Sequence, residues 1–160
     1  MIGTIIDKMI TYNGRDARRI NHALKVYALA KCIIESETDE QALIRITEAA
    51  AVLHDIGIHE CERKYNSASG KYQEIEGPPI AEKLLADMDI EPGIKKRVLY
   101  LIAHHHTYSN IDGLDYQALV EADFIVNLEE EKSGEGAILA ALKNIFKTDT
   151  GIKILQSMLG

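Results

Sequence analysis

His54 and Asp55 stand side by side in Leu53-His54-Asp55-Ile56-Gly57, where an apolar helical pattern runs out. An imidazole and a carboxylate are both metal-ligating groups, so the pair invites a search for partners. His22 stands one helical turn before Val26 on an apolar stripe, and Asp123 follows Leu119 and Val120 by four and three residues. Residues so spaced share a helix face, so both side chains are expected to point inward. A lone ionised carboxylate avoids the interior unless it is paired or bound to metal. Two imidazoles and two carboxylates form a mixed nitrogen and oxygen set that suits Mn, Fe, Co, Ni or Zn better than Mg or Ca. Four such ligands on an octahedral ion leave two positions, for water and a phosphoryl oxygen, an arrangement that supports metal-assisted hydrolysis.

The elements that carry these residues read as helices throughout. Ile2 to about Thr11 predicts a short helix ended by the Asn13-Gly14 turn, and Asp16 a cap for a long helix to about Glu37. Thr38-Asp39-Glu40-Gln41 reads as a capping box opening the helix that delivers His54 and Asp55, with Gly57 placed to stop it. Residues 59 to 73 are polar and predict a flexible loop, after which Pro78-Pro79 can open a helix. Further helices are expected from Pro92 into His104-His105-His106, from about Tyr116 to Glu130, and over the apolar stretch to Leu159, broken near Thr148 to Gly151. No segment alternates with a period of two, so the fold expected is all-α, a compact helical bundle.

With 160 residues, 46% of them hydrophobic and 27% charged, the chain is expected to be one domain, residues 1–160, with a core motif region over about 15–130 and C-terminal helices over 134–159. A formal charge of −7 argues against binding to nucleic acid polymers or anionic membrane, which rests on clustered Lys and Arg. Cys32 and Cys61 form no disulfide or zinc-finger pattern. Cys32 reads as a small core residue, and a reducing, cytoplasmic setting is expected. No stretch approaches membrane-spanning length.

The ordered set His22, then His54-Asp55, then Asp123 resembles the HD-domain metal-dependent phosphohydrolase superfamily, in the phrases RRINHALKVYALA, AAVLHDIGIH and VEADFIVN. The resemblance implies a helical bundle in which His22, His54, Asp55 and Asp123 hold a divalent transition metal. Some members bind a second metal through two further histidines. Here His105 or His104 can supply one, while Gln73-Glu74-Ile75-Glu76 stands where the other is expected, so Glu74 or Glu76 would have to substitute and one ion is expected rather than two. In some nucleotidase members a carboxylate acid lies three residues after the HD aspartate. That position is Ile58, which leaves His59 or Glu60 as proton-donor candidates beside Asp55.

Arg19, three residues before His22, and its neighbour Arg18 are candidates for a substrate phosphate, as is Lys64; Tyr108 or Tyr72 could line the pocket. Set against these, Arg18, Arg19 and Lys64 are on base rates solvated charges, His106 a solvent-facing or supporting group, and Glu129-Glu130-Glu131 a solvated helix end. The function expected is hydrolysis of a small phosphorylated metabolite, foremost a nucleotide. The alternatives are a non-catalytic metal- or nucleotide-binding regulatory module and a diiron oxygenase of the same superfamily. The oligomeric state is open, with a homodimer compatible.

Overall fold

Asp16 caps the helix that carries the first histidine, its carboxylate accepting from the Arg19 N–H at 3.2 Å. In the computed structural model, which describes residues 1–160, that helix is the second of nine, with no strand. The order is α1 Ile2–Asn13, α2 Ala17–Glu37, α3 Gln41–Leu53, α4 Ile58–Tyr65, α5 Gly70–Leu85, α6 Pro92–His104, α7 Leu114–Glu130, α8 Glu135–Asn144 and α9 Asp149–Leu159. The fold is all-α, as the periodicity predicts. Gly14 takes a φ of 62° between α1 and α2, a conformation open to it because it lacks a Cβ.

Helices α2, α3 and α7 pack together at the centre, with α6 on α3, α5 on α6 and α4 on α5. Val26, Ile33, Ala50, Leu53, Leu101 and Leu119 belong to the main core. Helices α8 and α9 close over the far end of α7 around Ile125, Phe146 and Leu155. A buried carboxylate ties that corner. Glu121 accepts from the Gln117 amide (2.6 Å), the Lys147 and Thr148 N–H groups (2.8 and 3.0 Å) and the Thr148 hydroxyl (2.5 Å).

Four local expectations are corrected. Residues 59–73 are largely helical: α4 buries Ile58 and Cys61 while Glu62, Arg63 and Lys64 face outward, and this polar face makes the sequence read as a loop. Helix α5 begins at Gly70, with Pro78 and Pro79 inside it rather than at its start. The prolines deprive the Glu74 and Ile75 carbonyls of helical donors, which is tolerable where Ile75 lies exposed to water. No side chain caps α3; the Thr38 hydroxyl instead accepts from the Glu40 N–H at 3.1 Å. Cys32 is exposed rather than in the core.

Gly57 works by close approach rather than by stopping α3 with a left-handed turn, since its φ is −83°. A Cβ there would come within 2.7 Å of the Gly77 nitrogen and 2.9 Å of its Cα. Two backbones therefore touch where α5 crosses the turn that follows Asp55.

Candidate metal centre

His22 and Asp123 point inward because each shares a face with core residues, Val26 on α2 and Leu119 on α7. His54 and Asp55 follow directly from the end of α3. The four side chains meet. His22 Nε2 lies 3.2 Å from His54 Nε2, 3.2 Å from Asp123 Oδ1 and 3.2 Å from Asp55 Oδ2. His54 Nε2 lies 3.3 Å from Asp123 Oδ1 and 3.4 Å from Asp55 Oδ2. Asp55, its side chain 16% exposed, is the most open of the four.

Hydrogen bonds on the far side of each ring fix what faces the centre. His54 Nδ1 sits 2.7 Å from the Ala51 carbonyl, which can only accept, so Nδ1 carries the hydrogen and the neutral ring turns the Nε2 lone pair inward. His22 Nδ1 sits 2.8 Å from Glu130 Oε1, with the same result. Two lone pairs thus face each other with a carboxylate oxygen of Asp123 and one of Asp55 beside both, an arrangement that demands positive charge. Burial pushes His22 down, but the Asp123 and Asp55 carboxylates outweigh it and hold the ring up at about 9. Burial opposes charge on His54 too, yet Asp55 and Asp123 raise it well above the ordinary range. Desolvation raises both carboxyls, and the histidines, His54 first, more than reverse this, leaving Asp55 and Asp123 well below the usual carboxylate range. His22, His54 and Asp123 form a group that could hold a metal ion, with Asp55 set against both histidines, and the charge of such an ion would replace those protons.

A second group adjoins the first through the other oxygen of Asp55. Its Oδ1 lies 3.4 Å from His105 Nε2, a buried nitrogen with no hydrogen-bond partner, while His105 Nδ1 donates to the Ile102 carbonyl at 2.8 Å. Asp55, His105 and His106 together could also hold an ion. His106 is bound to Gln73 Oε1 at 3.0 Å, and burial together with His105 pushes it down to about 4. His104 turns away, stacking on Tyr100 and donating from Nδ1 to the Tyr100 carbonyl at 2.7 Å. Glu74 is committed to the His106 N–H and the Thr107 hydroxyl, and Glu76 to Lys64 at 2.7 Å. The structure brings neither glutamate into hydrogen-bond contact with the imidazole rings.

A polar cavity of about 120 Å³ opens onto the centre, lined by Arg18, Arg19, His22, Asp55, Asn127, Glu130 and Glu131. Arg18 and Arg19 are therefore placed beside the cluster. Glu60 and Lys64 are not: they line a separate cavity of about 410 Å³ with Tyr12, Glu76 and Lys83. Glu60 is paired to Arg63 (3.0 Å to Nε), and His59 Nε2 to Asp16 at 2.7 Å. Tyr108 packs its ring against Phe124, and burial followed by the Asp123 charge pushes its phenol up to about 12. Tyr72 stacks on Tyr65.

Two residues at the centre are not expected there from the sequence. Asn127 donates to Asp123 Oδ1 at 3.1 Å, and Glu130, read as part of a solvated acidic run, meets His22. The signal was available: Asp123, Asn127 and Glu130 are spaced by four and three residues on one face of α7.

The family model described as HD domain matches residues 19–143, a span that contains all four converging residues. The chain belongs to the HD-domain family. This is the superfamily of metal-dependent phosphohydrolases that the ordered motif resembles, and its all-α fold agrees with the nine helices. No curated protein and no solved structure matches the chain. The HD-domain membership therefore rests on the family match and on the geometry just described. No helix is long and apolar enough to cross a membrane.

Proposed function

We propose that this HD-domain protein is a metal-dependent phosphohydrolase acting on a small phosphorylated metabolite, with a nucleotide foremost. The observation that carries the reading is that His22 Nε2 and His54 Nε2 lie 3.2 Å apart with Asp55 Oδ2 and Asp123 Oδ1 each within 3.4 Å of both. In this reading those four residues hold one divalent Mn, Fe, Co, Ni or Zn ion. When bound, such an ion lowers the pKa of a coordinated water and polarises a phosphoryl oxygen.

The protein's own residues do the rest. Arg18 and Arg19 line the cavity mouth and offer fixed positive charge to a phosphate entering it. Asp55, the more open of the two carboxylates, would orient the attacking water. Asn127 fixes the rotamer of Asp123 by donating to Oδ1. The cavity is small and has no apolar lining, so it suits the phosphoryl group, while the remainder of the substrate stays outside. His59 and Glu60, held by Asp16 and Arg63 outside this cavity, do not act as proton donor here. The two free cysteines support a reducing, cytoplasmic setting.

The test is a screen of phosphorylated metabolites with each metal in turn, beside His54→Ala and Asp55→Ala. Release of phosphate by the wild type and its loss in both variants is expected. Full metal occupancy with no hydrolysis would favour the non-catalytic binding module instead.

A further inference from the structure

Three histidines near the centre, His54, His104 and His105, donate from Nδ1 to a backbone carbonyl of their own helix or turn, three or four residues back. His22 differs. Its Nδ1 meets a carboxylate, Glu130 Oε1 at 2.8 Å, supplied by another helix 108 residues further along the chain. We propose that Glu130 is a positioning residue for His22: it fixes the ring's orientation and tautomer and strengthens Nε2 as a metal donor. The inference rests on the reading of His22 as a ligand.

The geometry around Glu130 supports this. Glu130 stands at the end of α7, its side chain 25% exposed, whereas the His22 side chain is 7% exposed, so the pair shields one ring edge while leaving the carboxylate partly hydrated. Its second oxygen, Oε2, lies 3.2 Å from Lys25 Nζ, one helical turn beyond His22 on α2. Lys25 thus orients Glu130 and offsets its charge. A neutral imidazole that donates its far N–H to a carboxylate is a better electron donor through its other nitrogen than one bound to an amide carbonyl. The same α7 face places Asp123, its support Asn127 and Glu130 in succession, so one helix aligns a carboxylate and the opposing histidine together.

The test uses the full chain, Zn or Mn alone as probe, and chelator competition to read affinity. Glu130→Ala should weaken binding 10- to 100-fold. Glu130→Gln, whose amide oxygen can still accept from Nδ1, should restore the ring's orientation but recover only part of that loss, the remainder being the carboxylate's effect on Nε2 donor strength. A second readout needs no metal: in ¹⁵N-edited spectra of the metal-free protein, the His22 Nδ1–H, assigned by its absence in His22→Gln, should be protected from exchange in the wild type and lose protection in Glu130→Ala. Affinity within twofold of wild type and unchanged protection in Glu130→Ala would overturn the proposal. If the wild type bound no metal, the metal reading would fall by itself, and the His22 signal would still decide whether Glu130 positions the ring.

Discussion

The Nε2 atoms of His22 and His54 face each other across 3.2 Å, although each ring's Nδ1 is already committed to an acceptor elsewhere. Protons or a cation must fill the space between them, and the two compete. In the metal-free protein His22 titrates near 9 against an ordinary 6.5, so its protonation favours the folded state. That contribution is complete below about pH 6.5 and is lost as pH rises through about 9. Asp55 and Asp123 are held low, so theirs is present above the ordinary carboxylate range and lost only in stronger acid. Thermal denaturation of the metal-free protein should show stability falling between pH 6.5 and 9. Metal affinity should climb over the same interval, with proton release visible by calorimetry in buffers of different ionisation enthalpy. A flat profile in both would contradict the assignment of these rings.

Gly57→Ala tests the contact beneath the HD turn. The new methyl meets Gly77 backbone atoms at 2.7 and 2.9 Å, and these cannot swing aside as a side chain end could. Urea denaturation should report a loss of about 1–3 kcal/mol. Because the displaced turn carries Asp55, metal affinity should fall as well.

His105 distinguishes one ion from two. Its orphaned Nε2 faces the Asp55 oxygen that points away from the main group. Metal titration of the wild type should give one tight equivalent, which His105→Ala retains. Any weaker second equivalent should vanish in that variant, and a tight second equivalent that survived it would refute the role of this nitrogen.

Glu121 governs the C-terminal helices rather than the metal. Glu121→Ala strands donors on Gln117, Lys147 and Thr148, at a cost of about 3 kcal/mol or more. Limited proteolysis should then cut between α8 and α9, in residues 145–148, sooner than in the wild type.

The converging residues were legible because helical phase is written in nearest neighbours: Val26 and Leu119 are enough to aim His22 and Asp123. The supporting residues were not, because what decides them is tertiary. Glu130 sits in an acidic run that looks solvated until α2 is laid against α7, and Glu74 looks free for a metal until the end of α6 arrives to use it. Helix α4 was hidden for another reason: it is 8 residues long and buries little besides Ile58 and Cys61, so its exposed charges dominate any local pattern. The prolines at 78 and 79 signal a helix start correctly in the abstract, yet α5 runs through them where Ile75 lies exposed to water.

The Gly57–Gly77 approach also sets how the centre responds to force. Where side chains separate two elements, a rotamer change can absorb a small displacement. Here main chain rests on main chain, and Gly77 is itself backed by Ile102, whose methyl carbon would lie 2.9 Å from a Cβ there. The Asp55 carboxylate is thereby seated on a stack of three elements, the turn, α5 and α6, in which the turn meets α5 backbone to backbone and only the Ile102 side chain stands between α5 and α6. Such a seat resists dilation, so the span between Asp55 and the two histidines is a property of the backbone rather than of side-chain adjustment.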